Sequence, residues 1–291
     1  MRQRRELAGA VAVVTGGSRG IGRLLGQALA GAGAAVGLIA RSGDELAESV
    51  RLITEDGGRA AAALADLSKP AEAERAIRSL CRRIGPATLL VNNAGIGGPV
   101  GDSWHVAAGA WWQTIEVNLG SAFLCTRAVL PGMIARRAGR IVNITSQAGV
   151  QRWPQLSAYA VSKAAIIKLT ENVAAETRGR GVQVFSVDPG LLPIGLSTSA
   201  ITGSAAPGSG EARRDAWVRQ ELAIGHGASP DWISDLVIRL ASGDADCLSG
   251  CHLSVHDDLD QMLTLARHIP DKDLYRLRRA QPQVDSAADS H

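Results

Sequence analysis

The sequence predicts a single α/β domain over residues 1–258, a doubly wound parallel sheet of seven strands with helices on both faces, and a C-terminal helical extension over 259–291. Three observations predict it. Short Val/Ile/Leu-rich runs alternate with longer Ala-rich stretches of helical periodicity, the rhythm of repeated βαβ units. The runs are continuously apolar, as strands covered on both faces are. A glycine-rich turn joins the first run to the first helical stretch, and such sheets bind ligands at the carboxyl ends of their strands. The 291 residues, 46% apolar and 20% charged, suffice for one large core.

In chain order, strands are expected over 11–14, 35–40, 60–65, 88–92, 139–145, 182–187 and near 252–255, with six intervening helices. The first helix begins near Ile21. Ser42-Gly43-Asp44-Glu45 has the form of a capping box that opens the second. Residues 191–210 break the rhythm with Gly, Ser, Ala, Thr and Pro directly after a strand, and a mobile lid over the crevice is expected across about 191–222. Helical periodicity returns over 259–268, a further short helix is expected over 271–279, and 281–291 reads as disordered. The apolar side of this tail is expected to bury itself across a subunit interface or over a neighbouring substrate pocket.

Other function classes find little support. A formal net charge of +3, with basic residues scattered along the chain, gives no footprint for nucleic acid or membrane binding. No stretch approaches about 18 uncharged apolar residues. The basic start at Met1 leads into the first strand rather than a leader, and the expected location is the reduced cytoplasm. Cys81, Cys125, Cys247 and Cys251 form no disulfide or zinc pattern, so Cys247 and Cys251 are expected to be buried packing residues. His256-Asp257-Asp258 is read as helix capping and no metal is expected.

The motifs carry the chemistry. In Thr15-Gly16-Gly17-Ser18-Arg19-Gly20-Ile21-Gly22, the glycines let backbone N–H groups approach a pyrophosphate, and the helix that follows adds its positive end. Tyr159 and Lys163 stand at i and i+4 on a helical stretch, so both project from one face. Hydride transfer to a carbonyl leaves an alkoxide that needs a proton, and a phenol with an ordinary pKa near ~10 is a poor donor and acceptor at neutral pH. An ammonium at Lys163 is expected to lower the Tyr159 pKa, with Ser146 donating a hydrogen bond to the substrate oxygen. Only two tyrosines and four lysines occur in the chain, so a Tyr-x-x-x-Lys by chance is improbable.

The spacing of Gly16, Gly20 and Gly22 resembles the short-chain dehydrogenase/reductase family, a Rossmann-type fold, and the resemblance continues over residues 9–255. Asn92-Asn93-Ala94-Gly95 looks like that family's motif beside the cofactor, and Asp66-Leu67 falls where the family holds adenine. Ser146, Tyr159 and Lys163 fall at its usual spacing, and Asn118 matches its helix asparagine. Pro189-Gly190 follows the sixth strand as in the family. The resemblance implies a nicotinamide dinucleotide cofactor, with Lys163 holding the nicotinamide ribose and Asn118 anchoring a water in a proton relay. It also implies a small carbonyl or alcohol substrate and a homodimer or homotetramer. Ser18, Ile21 and Leu192 join the expected cofactor contacts through the glycine loop and the backbone after Pro189.

Cofactor choice rests on Ala40-Arg41-Ser42. No carboxylate ends the second strand, and Arg41 with Arg19 offers cations to a 2′-phosphate, so NADP(H) is expected ahead of NAD(H). Ile194 stands where the family usually has a threonine that holds the carboxamide, and His256-Asp257-Asp258 replaces its usual glycine pair. Trp153 and Trp104 are candidate pocket walls, with core packing equally open. The function expected is a ketoreductase or alcohol dehydrogenase. Dehydration or isomerisation with the same residues, and a non-catalytic dinucleotide-binding protein, are the alternatives.

Overall fold

The computed structural model describes residues 6–203, 205–269 and 273–278. Seven strands form one sheet in the order β3-β2-β1-β4-β5-β6-β7: β1 (Val11–Thr15), β2 (Ala35–Ala40), β3 (Arg59–Leu64), β4 (Leu89–Asn92), β5 (Gly139–Ile144), β6 (Val182–Asp188) and β7 (His252–Ser254). Every pairing is parallel. β1, β2 and β4 are buried at every residue, as their unbroken apolar runs require of strands covered on both faces. β3 is the edge, and Leu64 at its end is 66% exposed.

Helices α1 (Gly20–Gly31), α2 (Gly43–Glu55), α9 (Pro230–Ser242) and α10 (Leu259–Leu265) cover one face. There Val14, Val36 and Leu38 of the strands meet Leu25, Leu29, Ile53, Ile233, Val237 and Met262. Helices α3 (Pro70–Ile84), α5 (Ser121–Arg136) and α6 (Ser157–Glu176) cover the other, where Val13 and Ile39 meet Ile77, Leu80, Val129, Met133 and Val173. Successive residues of β1 therefore feed opposite cores, as the pleat demands. Between β6 and β7 the chain adds α7 (Thr198–Thr202) and α8 (Gly210–Ala223) before α9, so this crossover holds three helices where one was expected.

After β3 the chain crosses to the far side of β1, so β1 and β4 are neighbours joined by distant connections. This reversal opens the crevice. α4 (Ala108–Ile115), a widened π-turn (Glu116–Gly120) and α5 run end to end over Ala108–Arg136, a helix long and apolar enough by composition to cross a membrane. Here α5 lies on β4, β5 and α3, which accounts for its apolar side.

Three local expectations need correction. Ser42 makes no side-chain cap to α2; Glu45 instead accepts a hydrogen bond from Ser18 Oγ (3.1 Å), because the glycine loop packs against this helix start. Cys247 is exposed, whereas Cys251 is buried. Residues 273–278 form a turn rather than a helix, with left-handed backbone at Asp273 and Tyr275, and the expected disorder over 281–291 lies outside the described residues. The tail packs on its own chain: the Tyr275 carbonyl accepts from His252 N (2.8 Å), closing the β7 edge, and Glu171 of α6 accepts from Leu277 N (3.1 Å) and pairs with Arg278. Asp258 does cap α10, accepting from Gln261 N (3.0 Å).

Burial lowers the His252 pKa to about 4, and its Nδ1 lies 3.2 Å from Ser186 Oγ. The unfolded chain takes up this proton first, so the contribution is complete above pH 6.5 and is lost as pH falls toward about 4. Discounted for partial exposure, the loss is about 2 kcal/mol. The thermal midpoint is expected to fall over that window, and His252→Asn, though less stable at pH 7, is expected to show a flatter curve. Parallel curves would exclude the imidazole as the source.

Candidate active site

The glycine turn is built for close approach. Gly16 and Gly20 have φ of +67° and +54°, in the left-handed region. A Cβ on Gly20 would stand 2.7 Å from Gly195 Cα, and one on Gly22 would stand 2.1 Å from the Gly16 carbonyl oxygen. Asn93 N and Ala94 N donate to Thr15 Oγ1 (2.9 and 3.0 Å), and Asn93 Nδ2 donates to the Thr15 carbonyl (3.0 Å). The ends of β1 and β4 are thus clamped together.

A cleft of about 460 Å3 runs along these strand ends. Gly16, Ser18, Arg19 and Ile21 line its turn side. Arg41, Ser42, Asp66 and Leu67 line the β2–β3 end, and Asn93, Ala94, Gly95 and Pro189 the centre. Tyr159 and Lys163 close the far end. Gly20 and Gly22 shape the turn without lining the cleft, while Gly190 and Leu192 face the adjoining chamber. Arg19 and Arg41 are exposed and form no ion pair among the described residues. Asp66 accepts from Ser68 Oγ (2.8 Å), which holds its carboxyl below the ordinary range, with Arg41 adding to the effect. Glu45 also lines the cleft, a residue assigned to capping by its sequence pattern.

At the chemical end, Ser146 follows β5 and opens a short 3-10 turn, its Oγ accepting from Ala148 N (3.2 Å). Lys163 is 4% exposed and donates to the Ile144 carbonyl (2.9 Å), with Nζ 5.5 Å from the Tyr159 ring centroid. Asn118 sits buried within the π-turn. Its Oδ1 accepts from Ile96 N (2.8 Å), and its Nδ2 donates to the Ile96 carbonyl and Ser162 Oγ (both 3.0 Å). The extra residue of a π-turn reorients side chains, and no sequence pattern announced it. A Cβ on Gly95 would lie 3.2 Å from Asn118 Oδ1 and 3.8 Å from Lys163 Nζ, so all three crowd one spot.

The electrostatics differ from expectation. Desolvation pushes the Tyr159 phenol up to about 12, against a lowering by its hydrogen bond with Ser146, and Asp188 pushes it further up. Desolvation also brings Lys163 down to about 8, opposed by Asp188. Lys163 Nζ stands 5.5 Å from the Tyr159 ring centroid and donates to the Ile144 carbonyl, and the loss of water outweighs any lowering at the phenol. Asp188, missed in the sequence, is a buried carboxyl raised above the carboxylate range, chiefly by desolvation, with its Oδ1 accepting from Gly190 N (3.1 Å). Its place immediately before Pro189 was the available signal.

Ser146 and Tyr159 also face a second chamber of about 640 Å3, walled by Leu191, Leu192, Ile194, Trp217, Val218 and Trp232. Trp153 and Trp217 meet edge to face there at 5.0 Å, and Trp232 meets His256 at 5.7 Å. Trp153 therefore is a wall, whereas Trp104 is 78% exposed and lines neither cavity. In the segment expected as a lid, Gly195–Ser197, Thr198–Thr202 and Gly210–Ala223 are helical, and Leu191, Leu192, Ile194 and Trp217 of this segment face the chamber. No group of three or more His, Cys, Asp or Glu able to hold a metal occurs among the described residues.

Comparisons with known proteins agree with this geometry. The family model for short chain dehydrogenases matches residues 10–201. A short chain dehydrogenase of Pseudocercospora fijiensis is 41% identical over 189 residues, a match that covers 64% of this chain and 61% of that protein's length. 2-(S)-hydroxypropyl-CoM dehydrogenase 3 of Xanthobacter autotrophicus is 36% identical over 84% of this chain and 94% of its own. Among solved structures, a protein assigned as an NAD(P) dependent gluconate 5-dehydrogenase from Beutenbergia cavernae, with NADP bound at low occupancy, superposes with a TM-score of 0.76. It is 34% identical, over 87% of this chain and 97% of its own. The chain is an oxidoreductase of the short chain dehydrogenase family.

Proposed function

We propose that the protein is an NADP(H)-dependent ketoreductase or alcohol dehydrogenase with Ser146, Tyr159, Lys163 and Asn118 as its catalytic set. The observation that carries the reading is the junction at Tyr159, which belongs both to the dinucleotide-sized cleft and to the apolar chamber. The cradle fits a dinucleotide: positive-φ Gly16 and Gly20 and the clamped strand ends leave backbone space at the start of α1 for a pyrophosphate. When bound, the cofactor supplies or accepts the hydride.

The protein's part is to hold the substrate oxygen and move one proton. Ser146 Oγ and the Tyr159 hydroxyl both line the chamber, and each has one O–H to donate to a substrate oxygen. Tyr159 gives its proton to the forming alkoxide, a strong base for which a phenol raised to about 12 remains an adequate acid. Lys163, with Nζ 5.5 Å from the Tyr159 ring centroid, is the cation of the chain that stands beside the phenol when it gives up its proton. Lys163 resupplies the proton, with Asn118, whose side chain is held by Ile96 and Ser162, as the anchor of a water behind it; this fixed side chain supports the assignment.

Arg19 on the turn side and Arg41 at the β2–β3 end support NADP(H), since neither forms an ion pair among the described residues, while Glu45 is engaged by Ser18. The exposed Trp112 and Phe123 on α4 and α5 favour a homodimer or homotetramer that covers them.

Three measurements test the reading. Tyr159→Phe is expected to lose roughly 10²–10⁴-fold in ketone reduction while binding NADPH as tightly as the parent. Retained turnover would remove Tyr159 from the mechanism. In the parent, kcat/KM for reduction is expected to fall as pH rises through about 8, where Lys163 gives up its proton. Cofactor choice is read by titration: NADPH should bind more tightly than NADH, and Arg41→Ala should cost about tenfold against NADPH only. Tighter binding of NADH overturns the NADP(H) assignment.

A further inference from the structure

The substrate chamber does not end at its tryptophan pair. Trp153, Leu156, Arg214 and Trp217 also wall a neighbouring cavity of about 480 Å3, so the two spaces meet across one aromatic partition. The outer cavity differs in charge. Arg152, Arg213 and Arg214 line it, and no carboxylate does. Arg214 is neutralised by Asp215 at 2.6 Å. Arg213 meets only neutral acceptors, the Gly208 carbonyl (3.2 Å) and Gln155 Oε1 (3.4 Å), and Arg152 has no hydrogen bond or ion pair among the described residues. The nearest acid in this network is Asp102, whose Oδ1 accepts from Gln155 Nε2 at 3.4 Å, one residue removed from Arg213. Gly210, which opens the 14-residue helix α8, is part of the lining; Ser209 caps this helix start and Glu211 stands in its first turn, so the positive charge of the cavity comes from the guanidinium groups of Arg152 and Arg213.

We infer that the substrate is an elongated, mainly apolar carbonyl compound or secondary alcohol whose far end carries an oxyanion, a carboxylate, sulfonate or phosphate, held by Arg152 and Arg213. The inference rests on the dehydrogenase reading of Tyr159 and deepens it. The apolar middle of such a molecule lies along Trp153 and Trp217, with its reacting oxygen at Ser146 and Tyr159 and its charge beyond the partition. Guanidinium groups suit this end because they bind oxyanions through paired N–H donors and desolvate readily.

Methyl-ketone acids of increasing length (5-oxohexanoate, 7-oxooctanoate, 9-oxodecanoate) and their methyl esters, reduced with NADPH, test it. At one length or more, kcat/KM for the acid is expected to exceed that for its ester at least tenfold, chiefly through KM and less so at high salt. In the Arg152→Gln/Arg213→Gln double variant, the acid-to-ester ratio should fall to about one. Arg213→Glu should bring it below one. An independent readout is quenching of tryptophan fluorescence by octanoate, expected to be saturable and to weaken at least tenfold in the double variant. Equal rates for acids and esters in the parent, or a ratio the variants leave unchanged, overturn the oxyanion subsite and leave the reductase standing. Arginine-dependent octanoate binding without reduction of any ketone upholds the subsite and overturns the reductase. Absence of both discards the subsite.

Discussion

The clamp between β1 and β4 is the constraint on which the rest depends. These strands are adjacent in the sheet though 73 residues separate the end of β1 from the start of β4. Thr15 holds them by accepting two backbone N–H groups with one hydroxyl oxygen. Opening that contact would part the glycine turn from Asn93-Ala94-Gly95, and Gly95 from the Asn118 and Lys163 side chains crowded against it. Site geometry follows from strand register, because each site segment begins where a parallel strand stops.

Burial then sets the chemistry. Tyr159 and Lys163 are displaced in opposite directions, the phenol up and the ammonium down, for one reason: both lose water in a crevice that penalises charge. The lysine at about 8 stands close to neutrality and can exchange its proton at physiological pH. The phenol is held neutral until something positive arrives. Asp188 tempers this by favouring positive charge on Lys163, at a position where Gly190 N and the Gln147 backbone secure its carboxyl.

Much of this was legible in the sequence because it depends on short-range rules. Continuous apolar runs gave the buried strands, and the i, i+4 spacing of Tyr159 and Lys163 gave their common face. What stayed hidden depends on tertiary contact. The failed cap at Ser42 reflects competition, since Ser18 reaches Glu45 from another element. The π-turn at Asn118 has no local signature, because a single inserted residue leaves the hydrophobic period almost unchanged. The expected lowering of the Tyr159 pKa gives way to a rise because sequence spacing places an ammonium near a ring without showing how much water burial strips from the phenol. Tyr275 sealing β7 was unreadable as well: a turn that satisfies a strand edge has no period.

The two halves of the site are held by different forces, and this decides which half can vary. The dinucleotide end is fixed by backbone hydrogen bonds and by glycines whose Cβ atoms would collide with main chain, so few substitutions fit. The substrate end is built from side chains of α8, α9 and the turn after β5, where Trp217 and Trp232 remain 39% and 47% exposed. Exchanging such residues alters shape and charge without breaking the sheet. The arginines beyond the tryptophan pair belong to this adjustable half, and their charge contributes little to folding because neither Arg152 nor Arg213 answers a carboxylate within the described residues. Both side chains are exposed and hydrated, so an anionic ligand can pair with them without any part of the fold having to move.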